Sequence, residues 1–288
     1  MTIIENDYLK VAISPKGAQL SSLFNKATQT EHMWQADENI WPWHAPNLFP
    51  IVGGLVNNEL HVDAQTYHLP RHGFARQSEF EVAEAKEKHA VFQLAATEET
   101  QAVYPYQFAL QVLYDLIDNA LRVTYKVINL DNKAIYFSVG GHPAFNIPFG
   151  KNDSYEDYYL EFEVNENLET HLLNKDGYFS GETHPVALNG KSLFLTRHLF
   201  DADALVFKNI QSKMVTIKST KHENTLSIEY PHFKHLGIWA KPGADFVCIE
   251  PWLGYADAAG ASTDISNKPA IQKLDKGHVF EASYFISI

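Results

Sequence analysis

The stretch Leu121-Arg122-Val123-Thr124-Tyr125-Lys126-Val127 alternates apolar and polar side chains without a break. Successive side chains of a strand point to opposite faces, so this segment predicts a strand with one buried and one solvated face. The same period of two returns in Phe80 to Ala83, Val91 to Leu94, Leu110 to Tyr114, Tyr159 to Val164, Val215 to Lys218, Leu226 to Tyr230 and Phe280 to Ile288. Asn, Asp, Gly or Pro usually bounds these runs, as turns between strands require. Apolar spacing of three and four residues is scarce. The best helix candidates are brief, such as the stretch after Pro269. Strands without a helical layer to cover them exclude a parallel α/β sheet and predict a large antiparallel sandwich or barrel. No Pro-, Gly- or Ser-rich linker divides the chain, so residues 1–288 are expected to form a single domain.

Composition narrows the function. With 288 residues and 45% hydrophobic content the chain can bury a sizeable core. Its 23 basic and 35 acidic residues give a net charge of −12, which repels phosphate backbones and anionic membranes and predicts neither a nucleic-acid nor a membrane partner. Cys248 is the sole cysteine, so no intrachain disulfide forms. Met1 to Asp7 carries no basic region, and no apolar run approaches a membrane span. The expected location is cytoplasmic.

Four segments depart from strand alternation by gathering polar, aromatic and glycine residues. In the first, Trp34, Trp41, Trp43 and His44 precede Ala45-Pro46-Asn47-Leu48-Phe49-Pro50 and Gly53-Gly54-Leu55-Val56-Asn57-Asn58. An indole offers a face to the axial C–H groups of a pyranose, and amides pair with its hydroxyls; the same tryptophans serve equally as core anchors. In the second, Arg71-His72-Gly73-Phe74-Ala75-Arg76, a histidine between two arginines is either a donor to an oxygen gaining charge or a turn residue on the surface. The third, Ser138-Val139-Gly140-Gly141-His142-Pro143-Ala144-Phe145-Asn146, ends an apolar strand in two glycines and delivers His142 at its mouth, as a catalytic group or as a satisfied turn histidine. The fourth, Phe246-Val247-Cys248-Ile249-Glu250-Pro251-Trp252, puts one carboxylate at the end of an apolar run. Buried there, Glu250 has a raised pKa and acts as a general base; at a solvated strand end it does neither. No metal motif is present, and His222, His232 and His235 read as surface groups. No nucleophile elbow, Walker loop or dinucleotide fingerprint occurs.

In their order and spacing, Ala45 to Asn58, Arg71 to Arg76, Gly140 to Pro148 and Glu250-Pro251-Trp252, with Phe200 to Phe207, resemble the aldose 1-epimerase (galactose mutarotase-like) superfamily, and within it the bacterial LacX-like branch. The resemblance spans nearly the whole chain. It implies an all-β fold, a large antiparallel β-supersandwich with few short helices, and a cofactor-independent, metal-independent isomerase acting on a small-molecule sugar, as a monomer or homodimer. It implies Glu250 as the base that takes the anomeric proton, His142 as the acid that protonates the ring oxygen, and His72 as a second histidine beside the opening bond. Asp203, or neighbouring Asp201, resembles the aspartate that holds sugar hydroxyls. Trp41, Trp252 and Asn57 complete the expected sugar contacts. Asn57-Asn58 stand where galactose mutarotases carry an arginine, so Arg71 or Arg76 is expected to substitute. That pair also leaves room for a hexose 6-phosphate. A carbohydrate-binding or sensing protein without catalysis is the alternative from another class.

Overall fold

A computed structural model describes residues 1–261 and 263–288. The alternating stretch lies inside the strand Ala120–Asn129, near the middle of a nine-stranded antiparallel sheet. Its neighbours are Phe108–Ile117 on one side and Val279–Ser287 on the other. Leu121, Val123, Tyr125 and Val127 are fully buried. The opposite face carries charge pairs between facing residues: Arg122 meets Asp115 at 3.0 Å and Lys126 meets Glu281 at 3.1 Å. Cross-strand pairs of this kind fix register at little energetic gain on a solvated face.

A six-stranded sheet packs inside this large one. Along its path run Leu205–Phe207, His235–Trp239, Phe246–Leu253, Val139–Gly141 and Asn47–Leu48, and Ala144–Asn146 also pairs with Phe246–Leu253. All eight residues of Phe246–Leu253 are buried, because strands flank both its edges and sheets or loops cover both its faces. A four-stranded sheet from Thr2–Glu5 to Thr30–Glu31 and three two-stranded pairings complete the architecture of the described residues. One hydrophobic cluster runs from Ile4 to Ile286. A smaller one, with Leu48, Val206 and Trp252 among its members, sits beneath the candidate site.

Among the described residues helix is confined to Glu98–Gln101, capped by the Thr97 side chain, and to short 3₁₀ turns. The stretch after Pro269 is not helical. Ala270 takes a positive φ of 61°, and the chain goes straight into the strand Gln272–Leu274 paired with Ile135–Phe137. Among the described residues no helix is long and apolar enough to cross a membrane. Tyr125 links the large sheet to the small one: its hydroxyl donates to Asn47 Oδ1 at 2.8 Å, while Asn47 Nδ2 donates to the carbonyls of Gly17 and Ala18.

Candidate active site

The Tyr125 and Tyr284 hydroxyls lie directly beneath Gly141, where a β-carbon would stand 3.0 Å from each of them. At Gly140 a β-carbon would stand 2.7 Å from Trp252 Cδ1. The double glycine therefore lets the strand Val139–Gly141 lie flat between tyrosines and tryptophan before it delivers His142. The ladder to Phe246–Leu253 keeps one register on both sides of His142. Val139 and Gly140 face Leu253 and Trp252, and Ala144, Phe145 and Asn146 face Cys248, Val247 and Phe246. Each facing pair sums to 392, which sets His142 opposite Glu250. Pro143 has no N–H to give to the ladder, so the pairing opens there and frees the histidine side chain.

His142 Nε2 lies 3.2 Å from Glu250 Oε2. The Glu250 residue is 1% exposed, and neither its Oε2 nor His142 Nδ1 has a hydrogen-bond partner. Burial pushes the Glu250 carboxyl well above its ordinary range, and the charge of Asp203 adds to the rise. The Trp252 indole N–H opposes it from close by, though outside hydrogen-bond geometry. Burial pushes His142 down to about 3, with the Arg76 charge acting in the same direction and its backbone hydrogen bonding opposing both. Trp41 stacks on the His142 ring at 5.0 Å and 28°, and so fixes its plane.

His72 reaches the same cavity from a turn with φ of 67°. Its Nδ1 accepts from the Gly53 N–H at 3.1 Å, which leaves Nε2 as the protonated, donating nitrogen. Burial holds this imidazole neutral, with His142, Arg76 and Arg71 contributing. The cavity holds about 240 Å³, below the ~300–1,000 Å³ of drug-sized pockets and suited to one small polar molecule. Trp41 and Trp252 contribute apolar wall, and Asp203 sits on the rim at φ of 83°, its Oδ1 accepting from the Ala204 N–H. Asp201 points elsewhere and pairs with His198 at 2.9 Å.

Arg71 and Arg76 also line the cavity. Arg122 and Arg197 pair with Asp115 and Asp245, but among the described residues neither cavity arginine meets a carboxylate. Arg76 donates to the Arg71 carbonyl at 2.9 Å and lies over the Trp43 ring, with its Nε buried and unpartnered. Arg71 donates to the Asp176 carbonyl at 3.0 Å.

Of the expected sugar contacts, Asn57 lies outside the cavity lining. It is exposed on a left-handed turn, and its N–H donates to the Tyr178 hydroxyl at 3.2 Å. The tryptophans divide: Trp34 is a core anchor whose indole N–H donates to the Trp41 carbonyl, and Trp41 faces the cavity. His235 is buried rather than at the surface, because it opens an inner strand of the six-stranded sheet. Sequence reasoning missed Leu173, Gly177 and Phe179, which the hairpin Glu169–Leu173 and Phe179–Pro185 brings to the cavity. Nothing in the sequence marks them, because the hairpin meets the cavity only through long-range folding. Cys248, two residues before Glu250, is fully buried and outside the cavity lining. Among the described residues, His142, Cys248 and Glu250 form the one group of potential metal ligands, with one ligand atom from each within 4.8 Å of the others.

The model of the aldose 1-epimerase family matches residues 1–282. The chain belongs to the aldose 1-epimerase family. It is 34% identical over 303 residues to the plasmid protein LacX of Lactococcus lactis subsp. lactis, covering 100% of this chain and 99% of that one. Among solved structures, a galactose mutarotase related enzyme from Lactobacillus acidophilus is similar at 34% identity and a TM-score of 0.92, over 99% of this chain and 96% of that one. A galactose mutarotase-like protein from Lactobacillus casei is similar at 32% identity and a TM-score of 0.93, over 100% and 99%. The fold of this aldose 1-epimerase family member is thus the antiparallel β-supersandwich that the resemblance implies, and it agrees with the sandwich or barrel expected from strand alternation.

Proposed function

We propose that the chain interconverts the α and β anomers of a hexose by acid/base ring opening, with Glu250 as base, His142 as acid and His72 as a polarising donor. The observation that carries this reading is the 3.2 Å approach of His142 Nε2 to Glu250 Oε2 at the wall of a small cavity. Opening a hemiacetal removes a proton from the anomeric hydroxyl and delivers one to the ring oxygen. Glu250 carboxylate takes the first and His142 imidazolium gives the second, which leaves carboxylic acid and imidazole. Both states hold one proton on the pair, so the sugar itself carries the exchange between them. Reclosure after rotation about C1–C2 reverses the roles, and no oxidant or cofactor is consumed. In the free site, burial favours the uncharged arrangement. Bound hydroxyls and the His72 donor supply the polar contacts that the charged arrangement needs. Each positioned proton transfer contributes roughly 10²–10⁴ in rate.

A second reading, a hexose 6-phosphate as substrate, is favoured by the two arginines that face the cavity without a carboxylate partner. Guanidinium groups pair with phosphate oxygens in two-pronged geometry. Anomer exchange followed by NMR on glucose, galactose and their 6-phosphates tests both readings. Acceleration of the phosphates alone selects the second. Sugar binding by calorimetry with no acceleration on any of the four would replace catalysis with a binding or sensing role.

A further inference from the structure

Cys248 and Glu250 are two residues apart on one strand, so their side chains leave the same face. His142 stands opposite Glu250, which makes it the diagonal neighbour of Cys248 on that face. The three therefore converge by register alone, with their ligand atoms within 4.8 Å of one another. Glu250 Oε2 is buried without a hydrogen-bond donor, although His142 Nε2 lies 3.2 Å from it. An unsatisfied buried acceptor costs about 1–3 kcal/mol, so the site gains from a partner that accepts lone pairs. Tetrahedral zinc at ~2.0–2.1 Å from nitrogen and oxygen and ~2.3 Å from sulfur holds its ligand atoms roughly 3.3–3.8 Å apart. The histidine and glutamate atoms already stand at 3.2 Å. The widest separation within the trio closes to that range by about 1 Å of side-chain rotation. The cavity leaves the fourth position to water or a sugar oxygen.

We propose that His142, Cys248 and Glu250 form an inhibitory site for a soft divalent cation such as Zn²⁺. Thiolate and imidazole select Zn²⁺ over Mg²⁺ and Ca²⁺, which take oxygen ligands. Metal–sulfur and metal–oxygen bonds form as the Cys248 thiol proton and the Glu250 carboxyl proton leave to solvent. His142 binds as neutral imidazole, and nothing is oxidised or reduced. Occupancy takes the base and the acid out of the reaction together. That inhibitory consequence rests on the proposed function, whereas binding does not.

The test titrates the full chain, stripped with chelator, with Co²⁺ and then Zn²⁺. The expected result is a thiolate-to-cobalt charge-transfer band in the near ultraviolet, displaced stoichiometrically by Zn²⁺. Cys248→Ser, with Cys248→Ala as the second variant, removes the band and weakens Zn²⁺ binding by more than about tenfold, a loss that even outer-shell changes reach in metal sites. Zn²⁺ stops anomer exchange in the native chain, chelator restores it, and Cys248→Ser keeps its basal rate and resists inhibition. Absence of the band in the native chain, or equal Zn²⁺ affinity in native and variant chains, overturns the site. A band in a metal-binding chain that shows no anomer exchange before Zn²⁺ is added supports the site and defeats the proposed function instead.

Discussion

Replacing Glu250 by Gln keeps the shape of a side chain that is 1% exposed and removes its capacity to take a proton. If Glu250 is the base, the loss in anomer exchange is that of one positioned proton transfer, roughly 10²–10⁴. At about 1.4 kcal/mol per tenfold, this is about 3–5 kcal/mol of transition-state stabilisation. Stability moves the other way, and the sign follows from burial. The folded carboxyl titrates well above its ordinary range, whereas the unfolded one titrates near about 4.3. Between these values the folded chain holds a proton that the unfolded chain has released. The native protein therefore loses stability as pH rises through that window, by up to about 1.4 kcal/mol per pH unit. Glu250→Gln carries no such proton and escapes the loss. NMR anomer exchange on the purified variant gives the rate, and urea unfolding at about pH 5 and about pH 8 brackets the window above the ordinary carboxylate value. The variant should be slow and, at the higher pH, the more stable of the two. An exchange rate within tenfold of native refutes the base assignment. A stability difference that stays constant across the two pH values refutes the electrostatic account.

Four further outcomes follow from the same geometry. His32 is 3% exposed with both ring nitrogens unpartnered, and burial holds its pKa at about 4 against an ordinary 6.5. The unfolded chain thus takes the proton first, and stability falls as pH drops from 6.5 toward about 4. His32→Phe, which keeps the edge-to-face contact with Phe149, should remove about 2–3 kcal/mol of that fall in urea unfolding. At Gly177, with φ of +79°, a β-carbon would stand 1.3 Å from Arg71 Nη2, so Gly177→Ala must displace the guanidinium that holds the hairpin over the cavity. Steady-state kinetics should give a KM about tenfold higher with kcat little changed. Gly181→Ala, at φ of +92° with nothing within 4 Å, should cost about 1–2 kcal/mol of stability and leave KM alone. Arg76→Met should raise KM for a hexose 6-phosphate by at least about tenfold, the value of a charge-assisted hydrogen bond, and for a free hexose by less. Equal effects on both substrates would remove phosphate from the role of this arginine.

Strand existence was legible because period two is a local property, and Leu121 to Val127 carry it with no need of distant residues. What lay beyond the sequence was long-range or depended on which neighbour filled a gap. Trp34 and Trp41 are alike in sequence and both pack against Phe246; only the backbone bond of Trp34 to Ala144 and the stacking of Trp41 on His142 divide core anchor from cavity wall. Asn57 and Arg71 both looked able to reach a sugar. The chain turns Asn57 outward at φ of 57° and sends Arg71 across to Asp176, where the hairpin tip lacks a β-carbon. The stretch after Pro269 had helical composition but no length in which to nucleate a helix before the Gln272–Leu274 strand begins. Leu173 and Phe179 carried no signal, since their relevance comes from a hairpin folding over a cavity built by other segments.

The dyad itself shows how little separates a legible motif from a working site. Each half was visible in the sequence, the histidine between glycines and a proline and the glutamate after an apolar run, but not that they face each other. That follows from one antiparallel register, held on one side of His142 by Gly140 against Trp252 and on the other by Ala144 against Cys248. A slip of one residue would turn every side chain of the histidine strand to the other face. The slip is resisted by the fit of Gly140 against Trp252 and of Gly141 over the two tyrosine hydroxyls, where no β-carbon is accommodated. The glycines thus act on the chemistry through register. Tyr125, from the alternating strand that predicts the fold, fills the space under Gly141 and is tied to Asn47 on the strand beside it. The inner face of the large sheet is therefore part of what holds His142 opposite Glu250.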